Sequence, residues 1–186
     1  DTPFVYEQQL KDREALSGDR FTLAAVKLFI DGVLEGETAA LVSPYLHKSG
    51  YRGELTYPQA ELNKIVANLA NNDLQVYTHA VGDGGVRVIL NAFEFAEQAH
   101  GRKDLRHHIS HLQLIHPDDH GRFAELNVVA NFQALWAVPD DWVIQLNLPV
   151  VGLDRVHRMY PIASIAESGA MLVGGSDWNV SSLNPL

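Results

Sequence analysis

Short apolar runs alternate with longer amphipathic stretches along most of the chain, and this alternation predicts strands separated by helices. The predicted strands cover residues 23–30, 74–80, 105–112, 127–133 and 170–177. The predicted helices cover residues 56–73, 83–99, 117–126, 138–147 and part of 158–169. Residues 36–53 are rich in turn formers and predict a long loop. Because strands joined through helices pair in parallel, the sequence predicts an α/β fold with one parallel sheet.

Two α/β architectures accommodate five parallel strands: an open doubly wound sheet and an arc of a (β/α)8 barrel. A complete barrel needs about 250 residues, so five strands in 186 residues amount to somewhat over half of one. No strand is followed by a glycine-rich phosphate-binding motif, which weakens the nucleotide-binding interpretation. The length predicts a single domain over residues 1–186.

Composition narrows the classes of partner. A net charge of -9 argues against a nucleic-acid groove or an anionic membrane surface as the partner. No apolar run approaches the roughly 18 residues that a membrane span needs. The chain has no cysteine, which excludes disulfides and thiolate metal sites and favours a reducing compartment such as the cytoplasm.

Polar residues recur at or near the carboxyl ends of the predicted strands. Lys27 lies in the first strand, and the next four end at His79, His111, Gln133 and Asp177. Packing alone does not explain five polar residues at the same end of a parallel sheet, where α/β folds build their sites. Two neutral imidazoles and a carboxylate suit Zn²⁺ or a similar divalent cation. The sequence therefore predicts a shared polar site at this edge.

The run "RHHISHL" in the third predicted strand places its histidines on two faces. Strict alternation puts His107, Ile109 and His111 on one face and His108 with Ser110 on the other. His111 is then nearest the rim, and His107 lies one layer below it, where it would support the ligands. His108 is predicted to face the helices.

Five segments carry a resemblance to a known family. They are, in chain order, "VKLFIDGVLEGETAALVSPY", "THAVGDGGVRVILNAFEFA", "RHHISHLQLIHPDD", "VVANFQ" and "GSDWNV". They resemble the amidohydrolase superfamily, and specifically the amidohydrolase-3 branch that includes N-substituted formamide deformylase-like enzymes. The resemblance implies a partial (β/α)8 barrel of the metal-dependent hydrolase type, covering about strands four to eight. The family's HxH pair on the first strand is absent, so we expect a fragment of a longer barrel that lacks the N-terminal HxH half.

The resemblance also implies roles for the strand-end residues. Lys27 matches a lysine that CO₂ carbamylates and that then bridges two metals. His79 and His111 match metal ligands, and Asp177 matches an aspartate that binds metal and moves the proton. The implied cofactors are one or two divalent cations, with Zn²⁺ favoured, and CO₂.

Five further residues complete the predicted site. Tyr45, Trp136 and Trp178 are the aromatic candidates for contacts with the substrate. His107 and Gln133 are predicted to support the metal ligands.

The function implied is hydrolysis of C–N bonds in small-molecule amides or formamides by a metal-activated water, with a fragment that is weak or inactive alone. Two alternatives stay open: a non-catalytic or regulatory member of the same fold, and a metal-independent α/β domain that binds small molecules. A half barrel has two open sheet edges, which invite pairing with another chain and predict a homo-oligomer.

Overall fold

Five parallel strands form one sheet in the computed structural model, which describes residues 6–101 and 104–184. They are β1 (Ala25–Phe29), β2 (Gln75–Ala80), β3 (His108–His111), β4 (Val129–Phe132) and β5 (Leu172–Gly174). Each strand pairs with the next in the chain, in the order β1-β2-β3-β4-β5. A doubly wound sheet reverses its order at a switch point, whereas a barrel does not. The order therefore confirms an arc of a (β/α)8 barrel.

Seven α-helices lie in the described part of the chain. They are α1 (Tyr6–Leu16), α2 (Gln59–Asn71), α3 (Asp83–His100), α4 (His120–Glu125), α5 (Leu148–Val151), α6 (Leu153–Val156) and α7 (Ile162–Glu167). Single 3₁₀ turns cover Pro117–Asp119 and Ala134–Trp136, and a π-helical turn covers Val143–Asn147. Residues 141–151 are continuously helical and include this π-helical turn, so the helix predicted over residues 138–147 is confirmed from residue 141 onward. None of the helices in the described part of the chain is both long and apolar enough to cross a membrane.

The main core lies between the sheet and helices α2 and α3. Leu62 and Leu69 of α2 and Ile89 of α3 are fully buried against Val76 and Ile109 of the strands. Each such side chain contributes about 1.5–3 kcal/mol relative to an exposed one. The opposite face, called the inner face below, carries Lys27, Tyr77 and His79 and is the one that bears the strand-end residues.

A buried carboxylate joins the loop after β1 to the turn after β2. Asp31 is 6% exposed, and its side chain accepts hydrogen bonds from the backbone N–H groups of Ala40 (2.9 Å), Val81 (2.9 Å) and Gly82 (2.8 Å). Burial raises its pKa to about 7, and the three donors oppose that rise. Asp83 connects the same loop and turn a second time, because its Oδ1 accepts a hydrogen bond from Val42 N at 2.8 Å.

The glycines of the "GDGG" turn allow this close approach. A Cβ at Gly82 would lie 2.1 Å from the carbonyl oxygen of Ala40, and one at Gly85 would lie 2.6 Å from the Asp31 carboxylate. Gly84 and Gly85 both donate their N–H to the Ala40 oxygen. Only glycine fits where two backbones are this close.

His107, just before β3, and His108, its first residue, lie on the opposite faces to those predicted. The His107 ring stacks on Phe93 of α3, with centroids 4.5 Å apart, so it faces the helices. The His108 ring meets Tyr77 edge-on at 5.6 Å on the inner face. The predictions that His107 supports the metal ligands and that His108 faces the helices were therefore wrong. The reason is a positive φ of 81° at His111, which breaks the alternation used to assign these faces.

We predict that Asp31→Ala lowers the free energy of unfolding by about 2–4 kcal/mol, because it leaves three buried backbone N–H donors without an acceptor. Asp31→Asn keeps one carbonyl oxygen and should lose less. Chemical denaturation followed by circular dichroism measures both. Asp19→Ala, at an exposed turn, is the control. Equal stabilities for Asp31→Ala and this control would contradict the role of the carboxylate.

His107 should make stability depend on pH. Burial lowers its pKa to about 4, and its Nδ1 accepts a hydrogen bond from Val76 N at 2.9 Å, which requires the neutral ring. The unfolded chain has a histidine pKa near 6.5, so it binds more protons between pH 6.5 and 4. Stability from this group is therefore complete above about pH 6.5 and falls by about 3 kcal/mol as pH drops to 4.

We accordingly expect His107→Leu to flatten the decline of unfolding free energy between pH 6.5 and 4, whatever its effect on absolute stability. Urea unfolding at a series of pH values measures the slope. His157→Leu, which changes an exposed histidine, should leave the slope as it is. A slope that is the same in the parent and both variants would show that His107 takes up its proton without unfolding.

Candidate active site

Two histidines meet at the carboxyl ends of neighbouring strands. His79 lies near the end of β2 and His111 ends β3, and their ring centroids are 4.6 Å apart. In the strand register His111 pairs with Ala80, whose side chain lies in the helix-side core. The positive φ of His111 lets its ring meet His79 on the inner face instead.

Each of these rings has one nitrogen bonded to an oxygen of the protein. His79 Nε2 donates to Gly32 O at 2.9 Å, since a carbonyl oxygen can only accept. His111 Nδ1 donates to Gln133 Oε1 at 2.9 Å, and Gln133 Nε2 donates to Asn131 Oδ1 at 3.2 Å. These contacts leave His79 Nδ1 and His111 Nε2 with lone pairs. Orientation of metal-binding imidazoles by such outer partners is general.

Electrostatics keeps both imidazoles neutral. Burial lowers the pKa of His111 to about 4; the positive charge of Lys27 adds to this effect, and the carboxylate of Asp177 opposes it. The pKa of His79 is also lowered, again chiefly by burial. Both rings are therefore unprotonated at neutral pH, as a metal ligand must be.

Lys27 lies on the inner face of β1, two residues before the strand ends. Its Nζ is 4.1 Å from the centroid of the Tyr77 ring and 5.3 Å from that of Phe29. Lys27 is an exposed residue. Even so, desolvation lowers the pKa of its amine, against an opposing effect of Asp177.

Asp177 follows β5 and is exposed, with a φ of 52°. It lines the same cavity as His79 and His111, and its charge acts on both rings and on Lys27. Three of the four predicted metal-binding residues, His79, His111 and Asp177, therefore line one cavity, and Lys27 is not among its lining residues.

The donor set fits a divalent cation in part. Two neutral imidazoles with one lone pair each, beside a carboxylate, are suitable ligands for Zn²⁺. However, residues 6–101 and 104–184 contain no group of three His, Cys, Asp or Glu side chains arranged to hold a metal ion. Lys27 is outside those residue types, and only a carbamate on its amine would make it an oxygen ligand.

A cavity of about 430 Å³ opens in front of the two histidines. Its walls are largely apolar and aromatic and include Val33, Val81, Leu135, Trp136, Trp142 and Tyr160. The Trp136 ring stacks on His111 with centroids 5.6 Å apart, and its Nε1 donates to Ser181 Oγ at 2.7 Å. Trp136 therefore lies where a substrate contact was predicted.

The other two aromatic candidates lie elsewhere. Tyr45 is 1% exposed, its hydroxyl donates to Ala39 O, and it belongs to a small core under the loop after β1. Its predicted contact with the substrate is corrected to a packing role. Trp178 is 68% exposed and does not line the cavity. Trp142 and Tyr160 do line it and were missed, because both lie in segments that the sequence assigned to helices.

Comparisons with known proteins identify the family. The sequence model described as the Amidohydrolase family matches residues 5–186. The chain is 32% identical over 165 residues to Protein LONG AFTER FAR-RED 3 of Arabidopsis thaliana, covering 88% of this chain and 28% of that protein. It is 26% identical over 159 residues to the Exoenzymes regulatory protein AepA of Pectobacterium carotovorum, covering 84% of this chain and 33% of that protein.

A solved structure supports the same assignment. The crystal structure of an uncharacterized metal-dependent hydrolase from Pyrococcus furiosus matches with a TM-score of 0.78 and 30% identity, over 95% of this chain and 36% of that one. The chain thus spans about a third of the length of the proteins it matches. With the family model matching nearly every residue, the chain belongs to the amidohydrolase family, in the branch that its motifs indicated.

Proposed function

We propose that this chain supplies one side of the active site of a metal-dependent hydrolase that acts on C–N bonds other than peptide bonds. One observation carries the proposal: the rings of His79 and His111 are neutral, and their centroids are 4.6 Å apart. In each ring one nitrogen donates a hydrogen bond to the protein and the other keeps its lone pair. Two such rings side by side can supply two nitrogen ligands to one metal ion.

Different residues of the chain would take different roles in the hydrolysis. A divalent cation held by the two histidines would polarise the amide carbonyl and acidify a water molecule. Asp177 would accept a proton from the attacking water and return it to the leaving nitrogen, so that an amide and water give a carboxylic acid and an amine. Gln133 holds the His111 ring through Nδ1. The apolar walls of the cavity would exclude water from the acyl group.

Lys27 would complete the ligand set as a carbamate. Its neutral amine reacts with CO₂, forming an N–C bond and releasing one proton, and the product is an anionic oxygen ligand. Desolvation lowers the pKa of this amine, which increases the fraction of the neutral form that reacts. The position of Lys27 beside Tyr77 on the inner face supports this role.

A second candidate function is regulatory. The similarity to a protein named as an exoenzyme regulator, at 26% identity, is the observation that favours it. A regulator built on this fold would keep the barrel and the aromatic cavity but would not need the two free imidazole nitrogens.

The outer edges of β1 and β5 have no partner strand among the described residues. Edge N–H and C=O groups need partners, so we expect pairing there, either with further strands of the same barrel or with a second copy of the chain.

We predict that the protein containing this chain, purified with Zn²⁺ and bicarbonate, binds metal and that a His79→Ala/His111→Ala variant loses most of it, because two of the proposed ligands are gone. Elemental analysis measures the metal content, and hydrolysis of a panel of formamides and amides measures activity. A His157→Ala variant, changed at an exposed site, should keep both.

Equal metal content in the parent, the double variant and the His157→Ala control would refute the metal centre. Full metal content in the parent with no hydrolysis of any C–N bond would favour the regulatory candidate.

We also predict a carbamate on Lys27. Protein exchanged into ¹³C-bicarbonate should give a carbamate carbon resonance that is lost in Lys27→Arg, whose guanidinium does not react. Lys11→Arg is the matched control, because Lys11 is exposed on α1, away from the inner face. A resonance that persists in Lys27→Arg, or that never appears in the metal-loaded protein, would contradict this assignment.

A further inference from the structure

The cavity carries negative charge that its own walls do not balance. Its charged lining residues in the described part of the chain are Glu35, Asp140 and Asp177, and no lysine or arginine is among them. A concave site with apolar walls and one sign of charge concentrates ligands of the opposite sign.

The three carboxylates act at two different places. The charge of Asp177 acts on His79 and His111, which belong to the candidate metal centre. The charges of Glu35 and Asp140 act on Tyr160 instead, whose pKa is raised by burial first and by these two carboxylates in addition. Glu35, Asp140 and Tyr160 all line the cavity, and the part that they form is called its acidic end below.

Neither acidic residue at this end is neutralised. No described residue forms a hydrogen bond or an ion pair with the Glu35 carboxylate, which is only partly exposed. Asp140 uses Oδ1 to accept from Val143 N at 3.1 Å, a bond that leaves its charge uncompensated. Asp140 is exposed and Glu35 is partly exposed, so a cationic ligand can reach both carboxylates.

Aromatic rings line the same cavity. Tyr160 is partly buried and Trp142 is 56% exposed, so both present ring surface to a ligand. The faces of such rings attract ammonium groups, and this attraction adds to that of nearby carboxylates. Apolar side chains such as Leu135 and Val143 provide contacts for a hydrocarbon body.

We propose that the ligand of this cavity is a small amide whose apolar body carries an organic ammonium group, held by Glu35, Asp140 and the rings of Trp142 and Tyr160. The amide part of this statement rests on the proposed hydrolytic function. The ammonium part rests on the charges and rings of the cavity alone. The positive end of the ligand binds at the acidic end, and its carbonyl then lies toward the two histidines.

Two probes of equal shape test the ammonium part without turnover. Phenyltrimethylammonium and its uncharged isostere tert-butylbenzene are titrated into the metal-free protein, and binding is followed by tryptophan fluorescence and by NMR shifts. We expect the ammonium probe to bind about tenfold more tightly, and its affinity to fall as salt is raised. Equal affinity for the two probes would overturn the proposal.

Charge-removing variants assign the binding to this end of the cavity. Glu35→Gln and Asp140→Asn should each weaken the ammonium probe by about three- to fivefold and leave the neutral one unchanged. Asp140→Asn keeps the oxygen that accepts from Val143, so the fold around it is preserved. Glu125→Gln, at an exposed carboxylate outside the cavity, is the control and should change neither probe. Ammonium binding that is insensitive to both cavity variants would also overturn the proposal.

The two proposals fail in distinguishable ways. Hydrolysis of neutral amides by a protein that does not discriminate between the probes would refute the ammonium inference and leave the hydrolase standing. Carboxylate-dependent binding of the ammonium probe, in a protein that hydrolyses no amide, would support the binding inference and refute the hydrolase.

Discussion

The position of the site depends on one buried carboxylate. Asp31, directly after β1, accepts three backbone N–H groups that belong to the loop after β1 and to the turn after β2. Its chain neighbour Gly32 then supplies the oxygen to which His79 donates. The glycines beside Asp83 are required because any Cβ there would meet Ala40 or the carboxylate itself. The orientation of His79 therefore depends on a backbone arrangement that only a small, acidic, glycine-rich sequence can form.

The second histidine, His111 at the end of β3, is oriented by different contacts. The positive φ of His111 lets its ring meet His79. Gln133, just after β4, holds the ring there and is itself held by Asn131 of β4. Three neighbouring strands thus contribute to two side chains, and burial keeps both neutral. Because each orienting contact lies within the protein, both rings are positioned before any ligand binds, which lowers the cost of assembling a site.

The hydrophobic periodicity of the sequence correctly predicted the elements that bury one face against the core. Helices α2 and α3 and the strands beside them were predicted within a few residues, because one face of each must pack against the sheet. It did not show that the helix predicted over residues 138–147 contains a π-helical turn. The alternation of residues along the strand also assigned His107 and His108 to the wrong faces, because it carries no information about the positive φ at His111. Tyr45 shows a further limit: an aromatic residue in a loop has the same sequence signal whether it contacts a ligand or fills a small core.

The two ends of the cavity constrain each other electrostatically. A cation between His79 and His111 would repel a positively charged group placed beside it, whereas Glu35 and Asp140 would attract the same group at the Tyr160 end. A ligand with a carbonyl and an ammonium group would therefore bind in one orientation, because the reverse orientation brings two positive charges together and leaves the acidic pair unpaired. Such an arrangement separates the chemistry, at the histidines, from recognition, at the carboxylates and rings.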